Sequence, residues 1–233
     1  MLEPHPPHHT PNTWRDFVIH IATIVVGLLI AVSLEQTVEY IHHRQEIAET
    51  REALHDERLD NYTRFAKYVQ QYHAESLRQK ANMALLVALQ HPAQNSTNPS
   101  ARLKLGLNRN QFTSAAWHTA QTSGVLALMP ADEVQADERI YNALQDISNQ
   151  NEEEWLALNE ANRFTFTDDN PAHLSPPQLA EEISLLQKMM MKHYLRGNFM
   201  GYPKYLDPGF ADGPSEAELD AFHNFIAVQH THP

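Results

Sequence analysis

The 233-residue sequence predicts an all-α fold: an N-terminal transmembrane helix continuing into a long helix that packs in an extramembrane bundle of about four to five helices. Three observations carry that expectation. FVIHIATIVVGLLIAVSL, residues 17–34, holds 18 residues without a formal charge. As a helix it spans roughly 27 Å, close to the hydrocarbon thickness of a bilayer. No proline falls between Pro11 and Pro92, and the one glycine in that stretch is Gly27, so nothing obliges the helix to stop at the lipid surface. No Asn-Gly or Asp-Gly pair joins two alternating runs, which leaves no hairpin signal.

In chain order, residues 1–16 form a His/Pro-rich tail expected to be disordered, 17–34 the membrane helix, and 35–233 the helical-bundle domain. Trp14 and Tyr40 flank the apolar run at positions suited to the membrane interface. Ala31-Val32-Ser33 also fits a signal-peptidase site. Against cleavage stand the weak n-region, with Arg15 its fixed cation, and an apolar run longer than a usual signal core. Apolar residues then recur at Val38, Ile41, Ile47, Leu54, Phe65, Val69, Tyr72, Met83, Leu86 and Val87, predicting one helix over about 13–90.

HPAQNSTNPS, 91–100, reads as a linker. A small-residue helix around Trp117 follows, stopped by Gly124, and Pro130 opens a helix to about residue 165 with Asp132 and Glu133 in its first turn. Ser175-Pro-Pro-Gln178 and Ser215-Glu-Ala-Glu218 fit capping boxes, placing helix starts at 175 and 215. Gly197 is expected to close the first of these helices. The aromatic, proline and glycine-rich stretch 197–214 is expected to be a non-helical loop whose aromatics fold back over the bundle, with a docking role as the alternative.

Charge and composition exclude several function classes. A formal net charge of −12, from 29 acidic and 17 basic residues, offers no basic patch and argues against nucleic acid as a partner. The absence of cysteine removes thiol catalysis, disulfides and zinc–thiolate sites. No phosphate-binding glycine loop, nucleophile elbow, HExxH or EF-hand pattern occurs, so no catalytic residue and no cofactor is assigned.

Two sets of residues remain as candidates. His20, Thr23, Gly27 and Ala31 share one face of the membrane helix, a small-residue seam that admits another transmembrane helix, from a second copy or a different subunit. Glu35, Glu39, His42 and His43 place carboxylates and imidazoles at helical spacing just beyond the span and form a weak metal-site candidate. Polar residues there are also what leaving a membrane requires. The Glu39/His42 and Glu52/His55 pairs imitate the Glu-x-x-His half-motif of di-iron bundles. Both lie on one predicted helix 13 residues apart, roughly 20 Å along its axis, too far to share a metal within one chain.

GLLIA followed by LEQ-x-VE-x-x-HHR within residues 17–44, with AAWHTAQTSGVLALMP at 115–130 as a second block, resembles an uncharacterised bacterial single-pass inner-membrane protein family. The resemblance covers about a quarter of the chain. It implies an inner-membrane location and a helical extramembrane domain, and brings no catalytic residues.

The expectation is therefore a non-enzymatic accessory, scaffold or interaction subunit whose partners are other transmembrane helices and the lipid bilayer. A ligand-sensing extracytoplasmic domain is the first alternative, and a metal-binding or redox protein the second. Orientation draws on opposing signals. Arg15 precedes the span while Arg44, Arg51 and Arg58 follow it, yet a long domain after an N-terminal anchor is often translocated regardless. The expected topology places the bulk domain in the periplasm.

Overall fold

The computed structural model describes residues 14–91, 102–109 and 111–230. All its regular elements are helical: α1 (Trp14–Gln90), α2 (Ala115–Ser123), α3 (Ala131–Ala161), α4 (Pro176–Phe199), α5 (Pro203–Leu206) and α6 (Glu216–His230). Among the described residues there is no strand. The chain divides into two units, Met1–Arg51 and Glu52–Pro233.

In the first unit the described residues are all helical, and α1 begins at Trp14, inside the stretch read as a tail. Its apolar segment is long and apolar enough to cross a membrane, with mean hydropathy 2.6 over 18 residues, none of them buried. The hydroxyls in and after that segment bond back along the helix: Thr23 Oγ1 to the Ile19 carbonyl at 2.9 Å, Ser33 Oγ to Leu29 at 2.7 Å, Thr37 Oγ1 to Ser33 at 2.7 Å. Such bonds satisfy each hydroxyl within the helix itself.

The second unit is a bundle built on the remainder of α1, with α3, α4 and α6. Lys192 reaches Glu153 at 2.9 Å and Lys188 reaches Glu160 at 2.6 Å, so α4 runs antiparallel to α3. These exposed pairs set register and contribute little stability, in the range of about 0–1 kcal/mol each. Stability comes from apolar packing, most of it in two layers, with a smaller cluster of Leu54, Trp117 and Tyr141 beside them. One layer joins Met83, Leu86, Leu158, Leu186, Met190, Phe222 and Ile226. The other joins Phe65, Tyr68, Leu144, Ile147, Met200 and Phe210. Fully buried side chains of this size contribute about 1.5–3 kcal/mol each relative to exposure.

Local signals in the sequence explain most helix ends. Ser175 and Gln178 form a capping box at the start of α4, and Ser215 and Glu218 another at α6. Gly124 ends α2 at φ +82°, a conformation in which glycine avoids the Cβ clash. Two expectations are corrected. Gly197 does not close α4, which runs on to Phe199. A Cβ at Gly197 would collide with Tyr72 Oη and Leu219 Cδ2, so the residue is small because α1 and α6 approach there. The stretch after it is not wholly irregular either, since Pro203 starts the one-turn helix α5. Its aromatics divide: Phe210 is buried and Phe199 half-buried, whereas Tyr202 and Tyr205 are exposed. The linker beyond His91 lies outside the described residues.

Residues 102–109 and 111–113 pass along α1 without regular secondary structure, a strap held largely by side chains, with one backbone bond from the Leu103 N–H to the Asp169 carbonyl at 3.0 Å. Asn82 clamps Lys104 through both its amide groups (Nδ2 to the carbonyl at 3.1 Å, Oδ1 from the N–H at 3.0 Å), and Asn61 clamps Thr113 in the same way at 2.9 Å. Between them Glu75 Oε1 accepts from the Asn108 N–H at 3.0 Å.

Candidate functional site

Each of the three long bundle helices interrupts its apolar stripe at the same level. On α1 the interruption is Glu75, Ser76 and Gln79, on α3 it is Asn151 and Glu154, and on α4 it is His193 and Arg196. On every helix these positions fall, in sequence, between residues of the two apolar layers. Glu75, Glu154, His193 and Arg196 are each at most 1% exposed. Taking such groups out of water is costly unless each finds charge and hydrogen-bond partners.

Arg196 supplies the charge partner. Its Nη2 donates to Glu75 Oε2 at 2.6 Å, and its Nη1 donates to Asn151 Oδ1 at 2.6 Å and to the Tyr68 hydroxyl at 3.2 Å. Its Nε lies 3.1 Å from Glu154 Oε2, close enough for ion pairing but too far out of line for a hydrogen bond. The guanidinium also sits over the rings of Tyr68 and Tyr72, at 5.2 and 5.3 Å from their centroids. Burial opposes its charge, but Glu154, Tyr68 and Glu75 outweigh that and raise its proton affinity further.

Glu154 receives Gln79 Nε2 at 2.8 Å and faces His193 Nδ1 at 2.9 Å. Burial pushes its carboxyl pKa up, yet Arg196, His193 and Gln79 together hold it below the ordinary glutamate value. For His193 burial dominates and lowers its pKa, with Glu154 opposing and Arg196 adding to the fall. Its ring stacks on Tyr72, 4.1 Å between centroids and 3° apart in plane. Burial drives the Tyr68 hydroxyl up to about 12 and raises Tyr72 as well.

Ser76, His193 and Glu154 fall in the order of a nucleophile, base and orienting acid, with Ser76 Oγ 2.7 Å from His193 Nε2. Order alone is not catalysis. Ser76 lies in the interior of α1, where backbone N–H groups bond along the helix and leave no amide pair to hold an oxyanion. Its hydroxyl also lies 3.0 Å from the Tyr72 carbonyl, the back-bond typical of a helical serine.

Among the described residues, Glu75, Glu154 and His193 are the group with the donor types and spacing of a metal site, their ligand atoms within 4.8 Å of one another. The space they enclose already contains a cation. Arg196 Nη2 is 2.6 Å from Glu75 and 3.1 Å from His193 Nδ1, so a divalent ion would have to displace the guanidinium and then bear its repulsion. The donor set fits a metal by type, and Arg196 makes it fit poorly by charge.

The residues singled out in the sequence lie elsewhere. His20, Thr23, Gly27 and Ala31 are exposed on α1, and so are Glu35, Glu39 and His42. His43 Nε2 comes within 4.0 Å of Glu39, with side chains 40% and 65% exposed, a weak solvated pair. No family model matches the chain, and neither does any curated protein or solved structure.

Proposed function

We propose that the chain is a single-pass membrane protein of the bacterial inner membrane, with its helical domain in the periplasm, acting as a non-enzymatic accessory, scaffold or interaction subunit. The observation that carries this reading is the apolar segment of α1, with mean hydropathy 2.6 and no residue of that window buried. Isoleucine, leucine and valine left in water along more than four turns would be a large unfavourable exposure, and a bilayer removes it. The resemblance in residues 17–44 supports the bacterial setting. The internal character of the polar layer supports a scaffold: Glu75, Glu154, His193 and Arg196 are all buried and bond mainly to one another and to their helix neighbours.

Fractionation tests the anchor: the chain should stay with membranes through an alkaline wash and leave only with detergent. Release by alkali would refute it. Pull-down from mild detergent then tests the subunit reading, which expects a stable partner, whether another copy or a different protein. A chain that is monomeric and alone would overturn that reading. A serine-reactive fluorophosphonate tests the absence of hydrolase chemistry. No labelling is expected, and labelling abolished by Ser76→Ala would establish a nucleophile.

The ligand-sensing alternative draws on one observation, a surface cavity of about 730 Å³ lined by Tyr202, Tyr205, Lys204, Pro208 and Pro214 among others. Its volume is within the range of small-molecule sites. Ligand-dependent thermal stabilisation that Tyr205→Ala removes would favour this reading over the scaffold.

A further inference from the structure

We infer that the partner of α1 is a second copy of the same chain, paired in parallel along the seam Ile24, Gly27, Ala31, Leu34, Val38, Ile41, Gln45 and Ala48. This deepens the interaction-subunit proposal and rests on its membrane anchor. These positions advance by alternating steps of three and four residues, the 3.5-residue repeat of a left-handed pair of helices. Inside the apolar span any phase would be apolar, so the informative part is the polar stretch that follows. There Leu34, Val38 and Ile41 stay in phase among Glu35, Gln36, Thr37, Glu39, His42, His43 and Arg44, with Tyr40 the one large apolar ring off the seam. All three are unpartnered in the described chain, at 65%, 51% and 58% exposed.

The sequence along this face favours a second copy in parallel. Two copies inserted with the same topology are parallel of necessity. In that arrangement the residue flanking the seam at g meets the partner's residue five positions later at e. Arg44 occupies g and Glu49 occupies e, so each copy's Arg44 faces the Glu49 of the other, and both are exposed. Ile24 and Val38 are β-branched at a and Leu34 occupies d, the combination that favours two strands, while Ile41 at d departs from it. Gly27 and Ala31 lie in the same seam within the apolar span, where small side chains let backbones approach closely. Thr23 borders it, and Gln45 places one polar residue at an a position, its Nε2 donating to Glu49 Oε1 of the same chain at 2.9 Å.

The chain contains no cysteine, so single cysteines can be read one at a time in native membranes. Leu34→Cys, Val38→Cys and Ile41→Cys should form oxidant-induced dimers at twice the 26.6 kDa monomer mass. Gln36→Cys, Glu39→Cys and His43→Cys, on the opposite side, should not. Arg44→Glu in the Val38→Cys background should reduce the cross-linked fraction about threefold or more, and adding Glu49→Arg should restore it. A profile without the 3.5-residue period, a maximum at 36, 39 and 43, or adducts only with a protein of different mass would overturn the inference. All variants are first checked for retention in alkali-washed membranes. A retained chain that does not cross-link refutes this pairing alone, whereas a chain that washes off refutes the membrane anchor beneath it.

Discussion

Glu182 on α4 is 1% exposed, and neither of its carboxylate oxygens has a hydrogen-bond partner among the described residues. Burial raises its pKa from 4.5 to about 7; Arg163 opposes the rise, while Glu181, itself paired with Arg163, adds to it. The folded state holds a proton that the unfolded chain gives up near 4.5, so this group costs little below that pH and its cost grows until pH passes about 7. The gap between 4.5 and about 7 corresponds to about 3 kcal/mol once both states are ionised, and to less than about 1 kcal/mol at pH 5. Glu182→Gln removes the ionisation. Its buried amide introduces an offset of its own, about 1–3 kcal/mol, but that offset does not vary with pH. The measurement is urea denaturation of detergent-solubilised variant and parent at pH 5 and pH 8, with the difference between them taken at each pH. That difference should move in favour of the variant by about 2–3 kcal/mol from pH 5 to pH 8. Subtraction cancels the titrating groups that do not act on Glu182. Parallel stability curves would show that Glu182 ionises normally, through a water or a partner that satisfies it.

Arg196→Met should cost about 3–5 kcal/mol by chemical denaturation, because it leaves Glu75 and Glu154 buried without their cation; a change below about 1 kcal/mol would show that the two carboxylates are not charged. Gly197→Ala should destabilise by about 1–3 kcal/mol, read as a lowered midpoint, since its methyl group would enter the space of Tyr72 Oη and Leu219 Cδ2. Asn61→Ala and Asn82→Ala together should speed amide exchange at Thr113 and Lys104 while leaving exchange in α3 unchanged, because the strap is held at those points by side chains alone. Elemental analysis of untagged protein should find no stoichiometric divalent metal; bound metal lost on Glu75→Gln would place an ion beside Arg196, and metal lost on Glu39→Gln would place it in the cluster Glu35, Glu39, His42 and His43.

Helix boundaries were legible where a side chain acts on its own neighbours. Gly124, Pro130, and the Ser175 and Ser215 boxes are decided within four residues, and the structure follows them. Gly197 misled because the same residue type serves two purposes. A glycine near a helix end is usually there for backbone freedom, but this one is small to admit Tyr72, which lies 125 positions away in sequence. The strap was illegible for a related reason: Asn61 and Asn82 look like solvated helix residues until the segment that their amides grip is brought beside them.

The polar layer left a trace that periodicity alone could have caught. On α1 the stripe Val69, Tyr72, Met83 and Leu86 skips the in-phase positions 75 and 79, and the missing steps are Glu75 and Gln79. On α3, Asn151 and Glu154 fill the same gap between Ile147 and Leu158; on α4, His193 and Arg196 fill it between Met190 and Met200. One in-phase polar residue is ordinary, but three helices interrupted at matching depth require a shared buried layer. What the trace could not reveal is which residue balances the charge. Two glutamates and a histidine suggest a metal, and only the placement of Arg196 between them turns that suggestion around. The distinction bears on function. A layer that needs an ion would couple folding to metal supply, whereas one closed by its own arginine folds without it. A layer balanced by its own arginine does nothing for the apolar side chains of α1 between Phe17 and Ile41, which stay exposed in the described chain.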